Sequence, residues 1–224
     1  MKNRTYCLLL TAFITVIVVL ASCQKEVSNE SGPPVKDSTT TTSPGDSTHS
    51  DSTTTEVGTW KFISLHTTFN QTTTYSQGGL SVKGITTADF VTTNNSGTIK
   101  FDGSKMISTG ISLSINTTAN TNLYLNGVQG NAIPIPIDTS FAAQNDTASY
   151  QKIGTDSLYL QSGGFFGLGA GGLIPTSAVG CKLKFNGNTM TMTVIYDNAY
   201  TDNSQGFPAQ VTSHAVLEAT LQKQ

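Results

Sequence analysis

The stretch CKLKFNGNTMTMTVIY, from Cys181 to Tyr196, carries the clearest structural signal in the chain. Met190, Met192 and Val194 fall on one side of an extended backbone, and Thr189, Thr191 and Thr193 fall on the other. Period-two alternation of this kind marks a half-buried antiparallel strand. The preceding run, Cys181 to Phe185, alternates in the same way around Lys182 and Lys184. Asn186-Gly187 joins the two runs and is a tight-hairpin signal, because glycine accepts the positive φ such turns require. Two amphipathic strands so connected need an apolar face to pack against, so the rest of the chain must supply more sheet.

It does. Strand-like runs occur near 59–69, 80–86, 97–102, 105–116, 121–126, 148–153, 157–162 and 211–222, separated by Gly, Asn and Asp. Only 12% of residues are charged. That, with abundant threonine, favours strands over exposed helices, and no window has helical amphipathicity of useful length. The expected fold is all-β: an antiparallel up-and-down barrel of about eight strands, with a β-sandwich as the alternative. Ala132-Ile-Pro-Ile-Pro-Ile-Asp138 alternates isoleucine with proline. Proline donates no ladder hydrogen bond, so this segment is expected at a sheet edge or in an extended connection.

The N-terminal residues have a different character. Met1 to Arg4 are basic, Cys7 to Leu20 form an apolar run, and Ala21-Ser22 precede Cys23. The run is shorter than a membrane span and has the length of a secretory signal core. Leu20-Ala21-Ser22-Cys23 resembles the lipobox of bacterial lipoproteins. The resemblance implies cleavage after residue 22 and a lipid on Cys23, anchoring the mature protein to a membrane. Cys23-Gln24-Lys25-Glu26 looks like the export tag of surface lipoproteins of the Bacteroidota. It implies an outer-membrane protein displayed on the cell surface, with a periplasm-facing location as the alternative.

Residues 23–56 hold the lipidated cysteine and a Ser/Thr/Pro-rich linker with almost no large apolar side chain. Such a segment cannot offset its ordering entropy and is expected to stay disordered. Asp-Ser-Thr recurs at Asp37, Asp46 and Asp51. This resembles the O-glycosylation acceptor of Bacteroidota and implies glycans on Ser38, Ser47 and Ser52. Thr147 and Ser157 match the same pattern inside the domain at 57–224.

Gly58-Thr59-Trp60 opens the first strand, as Gly-X-Trp does in lipocalins. The paired runs 150–153 with 157–160, and 181–185 with 189–196, are similar to adjacent strands of bacterial lipocalin-like domains. The resemblance implies a barrel closed between the first strand and the last, His214 to Leu221. Gly58 and Trp60 would form its barrel-end signature, with the tryptophan plugging the core. In that family an arginine of the last strand covers the tryptophan; here Lys223 is the basic residue nearby.

Little in the chain points to chemistry. The charge is −2, and loss of Lys2 and Arg4 with the leader makes the mature chain more acidic and free of arginine. Absence of the guanidinium fork together with an acidic balance argues against nucleic-acid binding. With Cys7 removed and Cys23 acylated, Cys181 has no intrachain partner and is expected as a small buried hydrophobe. Residues 197–206 lack the ligand spacing of a calcium loop and are expected as a solvated turn. His66 and His214, on the first and last strands, could approach each other but lack further ligands at metal spacing. No metal or cofactor is expected and no catalytic set is nominated. The most unusual segment is Gly163 to Gly180, with Phe165, Phe166, Leu168, Leu173 and Ile174 among glycines. It reads either as a hairpin loop packed over a barrel end or as an apolar lid at a ligand mouth.

These features together lead to a membrane-anchored envelope protein whose barrel binds a small apolar or lipid-like ligand. A structural or adhesive module with a filled barrel, contacting glycans or proteins, is the alternative. Two measurements check the N-terminal reading. The native protein should exceed the mass of peptide plus lipid by the mass of its glycans; equality removes the glycan assignment. Protease treatment of intact cells should digest the protein; survival until the outer membrane is broken removes surface display.

Overall fold

The computed structural model describes residues 55–162, 164, 178–204 and 206–224. Nine strands form one antiparallel sheet: β1 (Gly58–Gln77), β2 (Leu80–Val91), β3 (Thr93–Phe101), β4 (Lys105–Leu125), β5 (Val128–Ile153), β6 (Ser157–Leu160), β7 (Val179–Asn186), β8 (Thr189–Asp202) and β9 (Ala209–Lys223). The sheet returns on itself because β1 pairs with β9 as well as with β2 and β3. The outcome is an all-β ring, barrel-like but uneven, with no helix among the described residues.

Nine strands occupy eight positions around the ring. β3 pairs with β1 from Gly58 to Lys61, and β2 pairs with it from His66 to Gln77. Both lie against β4 in a shared register, Val82 opposite Leu125 and Phe101 opposite Met106. They are one long strand broken at Thr92. The break is hydrogen-bonded throughout: the Leu65 amide donates to Thr92 Oγ1 at 2.9 Å, and that hydroxyl donates to Asn95 Oδ1 at 2.7 Å. The Thr92 amide donates to the Leu65 carbonyl, and Asn95 Nδ2 donates to the Thr92 carbonyl. A buried ladder interruption is tolerable only when its backbone groups find partners in this way.

Tight turns allow the long strands. Gly78-Gly79 and Asn126-Gly127, all at positive φ, connect β1 to β2 and β4 to β5. Gly187 opens the β7–β8 turn, with Asn186 opposite Thr189. Several strands run past the limits read from sequence. Runs 105–116 and 121–126 are one strand, and β5 continues through the Ile-Pro segment. Proline is accommodated there because residues 128–144 pair with β4 alone among the described residues, and only Tyr150 to Ile153 meet β6. Residues 197–202 correct the expectation of a turn. They belong to β8 and pair with β9 down to Asp202–Ala209, so the turn begins only at residue 203.

The core fills the lower half of the ring, the end where the chain enters. Trp60, Phe62, Leu65, Ile99, Phe101, Met106, Ile111, Leu158, Leu160 and Met190 are its largest fully buried side chains. A barrel of about eight strands has an interior just wide enough to be filled by side chains, and that is the condition here. The wall bends at Gly97, at φ +102, where β3 passes Gly110 of β4. A Cβ on Gly97 would sit 2.6 Å from the Gly110 carbonyl oxygen and 2.7 Å from the Ile111 nitrogen. Gly97→Ala should therefore lower stability by about 2 kcal/mol or more, through the backbone clash and the strained φ, and Trp60→Ala is expected to cost about 3–5 kcal/mol. Urea unfolding followed by tryptophan fluorescence for the first, and by circular dichroism for both, measures the two losses.

Candidate functional site

Above the filled half the ring has a different interior. In strand order β5, β4, β2, β1, β9, β8, the inward positions follow from register with buried residues. They include Ile133, Ile135 and Ile137 on β5, Ala119 and Thr121 on β4, and Thr86 and Ala88 on β2. Phe69 and Gln71 on β1, Ser213 and Ala215 on β9, and Tyr196 and Tyr200 on β8 complete the wall. Phe69 of β1 and Phe90 of β2 stand at the foot of its central strands, Ala88, Ala119, Ser213 and Ala215 are small, and its two margins carry isoleucine and tyrosine. We call this curved wall the trough. Phe69, Phe90, Ile137, Phe141 and Tyr196 are half-buried and rest on the core below.

Two pairs of polar groups in the trough are hydrogen-bonded to each other. Thr86 and Thr121 share a hydroxyl hydrogen bond of 2.8 Å, and Gln71 Nε2 donates to Ser213 Oγ at 3.2 Å. Burial raises the phenols of Tyr196 and Tyr200, the latter also through the Asp202 charge, so both stay protonated. Thr67 differs: it is 4% exposed, and its Oγ1, like Ser108 Oγ in the core, has no hydrogen-bond partner among the described residues. It lies one inward step below Phe69, where trough meets core. Buried hydroxyls without a partner are uncommon and costly.

The lower end holds Gly58 and Trp60. Gly58 has φ +128, and Trp60 is fully buried. The indole nitrogen donates to the Glu56 carbonyl at 2.7 Å. Lys223 Nζ lies 4.9 Å from the ring centroid and donates to the Val57 carbonyl at 3.1 Å. Lys223 therefore covers the tryptophan from the last strand. Sequence reading missed the group beside it. The buried Glu56 carboxylate pairs with Lys152 Nζ at 2.7 Å, and Tyr150, its phenol pushed up to about 12 chiefly by burial, donates toward Glu56 and accepts from the Gly103 amide. A glutamate four residues before Trp60 gave no pattern to find, because its partner lies 96 positions away.

Cys181 is buried and free, and its thiol is pushed up to about 12 by burial, consistent with a packing role. Thr147 is exposed on β5; Ser157 is half-buried, its hydroxyl donating to Asp156. Cys23, Ser38, Ser47 and Ser52 lie outside the described residues, as do Phe165, Phe166, Leu168, Leu173 and Ile174. Of the glycine-rich segment, Gly164 is described: it lies against Met106 and Ala148, whose side chains point into the core. No group of three or more metal-ligating side chains occurs among the described residues, and no described helix is long and apolar enough to cross a membrane. No protein-family model, curated protein or solved structure matches this chain.

The two strand histidines do not meet. His214 pairs with Asp197 at 2.7 Å, and across the β1–β9 seam the register places it opposite Asn70. His66 lies between Asp89 of β2, at 2.7 Å, and Glu218 of β9, at 3.3 Å. The Asp89 hydrogen bond, opposed by burial and aided by Glu218, raises its pKa above the ordinary 6.5. A raised folded value means that His66 stabilises the seam fully below about pH 6.5 and loses this contribution as pH rises through the folded value. Thermal unfolding should therefore occur at a higher temperature at about pH 6 than at about pH 9. His66→Asn should reduce that difference; an unchanged difference would assign it to other groups.

Proposed function

We propose that this chain is a lipid-anchored envelope lipoprotein of the Bacteroidota type, whose lipocalin-like barrel binds a small apolar or lipid-like ligand in the upper trough. The observation that carries the reading is the change of interior along the ring. Large side chains fill the lower half, while above Phe69 and Phe90 the upper half mixes Ala, Ser, Thr and Gln positions between isoleucine and tyrosine margins. A mostly apolar concave wall with a few placed polar groups is the usual character of a small-molecule site. Thr67 Oγ1 supplies such a group at the trough floor, and a ligand oxygen reaching it would satisfy the buried hydroxyl. The tether reading rests on the lipobox at Leu20 to Cys23, and surface display on the residues that follow it.

One observation favours the second reading, an interaction module. On the outer face of β1, β8 and β9 a shallow, open concavity is lined by Asn70, Asp197, Ala199, Thr212 and His214. Amide, carboxylate, hydroxyl and imidazole groups of that kind suit the hydroxyls of a glycan.

Native mass spectrometry of residues 23–224 carrying Cys23→Ser separates the readings. The binding barrel should show a reproducible excess mass that is released on denaturation and extracts into organic solvent. A fluorescent long-chain fatty acid should bind the same protein. Ile135→Lys, which sets a charge on the apolar margin, should weaken that binding by about tenfold or more. A clean mass together with absence of fatty-acid binding favours the interaction module.

A further inference from the structure

The charges of the domain are sorted along the barrel axis. Lys61 on β1, Lys100 on β3, Lys105 on β4, and Lys182 and Lys184 on β7 all belong to the filled, closed end. Each neighbours a core residue in its strand, so each points outward, and all five are exposed. None has an ion-pair partner among the described residues, whereas Lys152 and Lys223 at the same end are held by Glu56 and Trp60. The acids of that end's turns keep their charge but are fewer than its lysines. Asp102 accepts from the Ser104 and Lys105 amides, and Asp156 accepts from the Ser157 hydroxyl. Asp146, on the inner face, lies near Gly164. In the upper half Asp89, Asp138, Asp197, Asp202 and Glu218 stand against Lys83 alone.

Two further observations select a partner for the basic end. Val57 and Ile153 are 44% and 55% exposed among these lysines. Alternation of ammonium groups with exposed aliphatic side chains suits the boundary between headgroups and acyl chains. The chain also enters the barrel here: Glu56 and Trp60 fix the entry point, and the segment leading back to Cys23 leaves from the same rim.

We infer that the closed end, ringed by Lys61, Lys100, Lys105, Lys182 and Lys184, docks on the anionic headgroup surface of the membrane that holds the tether. The inference rests on the tethered reading for its direction and extends it to an orientation. The barrel stands on its filled end, and the upper trough, with its acidic rim, faces away from the lipid. Each lysine near an anionic surface adds a modest attraction that is lost beyond a Debye length, so the tether supplies the proximity and the lysines supply the pose.

The test uses residues 23–224 with Cys23→Ser, a form without lipid whose ring and core are complete between Trp60 and Leu221. Sedimentation with phosphatidylcholine vesicles containing phosphatidylglycerol is compared with sedimentation on pure phosphatidylcholine. Binding is expected on the anionic vesicles only and should fall steeply with added salt. Replacing the five lysines by glutamine should weaken it by about tenfold or more, while Lys83→Gln leaves it unchanged. The salt series needs no variant, so a misfolded multiple mutant, detected by circular dichroism, leaves the test intact. Equal binding to neutral vesicles, insensitivity to the lysines, or binding to a soluble polyanion without vesicle binding would overturn the inference. Fractionation of the full chain with and without Cys23→Ser tests the tether separately, since the vesicle assay does not depend on lipidation.

Discussion

The pairing of the first strand with the last is the constraint on which the other features depend. β1 and β9 run in register from Trp60–Lys223 to Tyr75–Ala209, with a single irregularity between Phe62 and Ser64. Without this seam, β1 and β9 would lose a shared ladder, and the core they face would open to water. The same pairing brings Lys223 onto Trp60 and Glu218 beside His66. A contact between the two ends of a domain closes the longest loop available to it, so its entropy cost is met only by the apolar burial that follows. Such a topology folds slowly by its nature.

Unevenness is the second consequence of the strand plan. β6 has four residues, while β4 and β5 have 21 and 26. Among the described residues β6 borders only Tyr150 to Ile153 of β5. The lower half closes with a core of large side chains, and above it the described strands form a curved wall. Thr92 and Gly97 mark the change in the wall itself: one caps a broken strand, and the other lets two backbones touch. The large buried side chains are thereby concentrated at one end of the sheet.

Polar chemistry follows the same division. The closed end holds the buried Glu56–Lys152 pair and the covered Trp60, and it presents unpaired lysines outward. The open end carries the acids, the half-buried tyrosines and the orphan Thr67 hydroxyl. An end that is filled and basic is suited to standing on a surface, and one that is concave and apolar is suited to receiving a ligand. The two proposals meet in this polarity, although each stands on separate side chains.

The amino-acid sequence by itself determined the strand character and the tight turns. Alternation in Thr189 to Tyr196 is a local property, since opposite faces of a strand need opposite chemistry wherever the strand ends up. Asn186-Gly187 was legible because a tight turn needs glycine locally, and the prolines at 134 and 136 marked a segment that, among the described residues, pairs on one side only. Tertiary structure alone decided which runs fuse and where the interior is full. Residues 105–125 are one strand because β2, β3 and β5 pair with them along their length, and partners of that kind leave no trace in a local window. Glu56 with Lys152, and His66 between Asp89 and Glu218, are likewise meetings of residues far apart in the chain. The trough is the plainest case. Ile135, Phe69 and Tyr196 become one surface only after the seam closes, because contact between distant strands is set by register across the sheet rather than by neighbours along the chain.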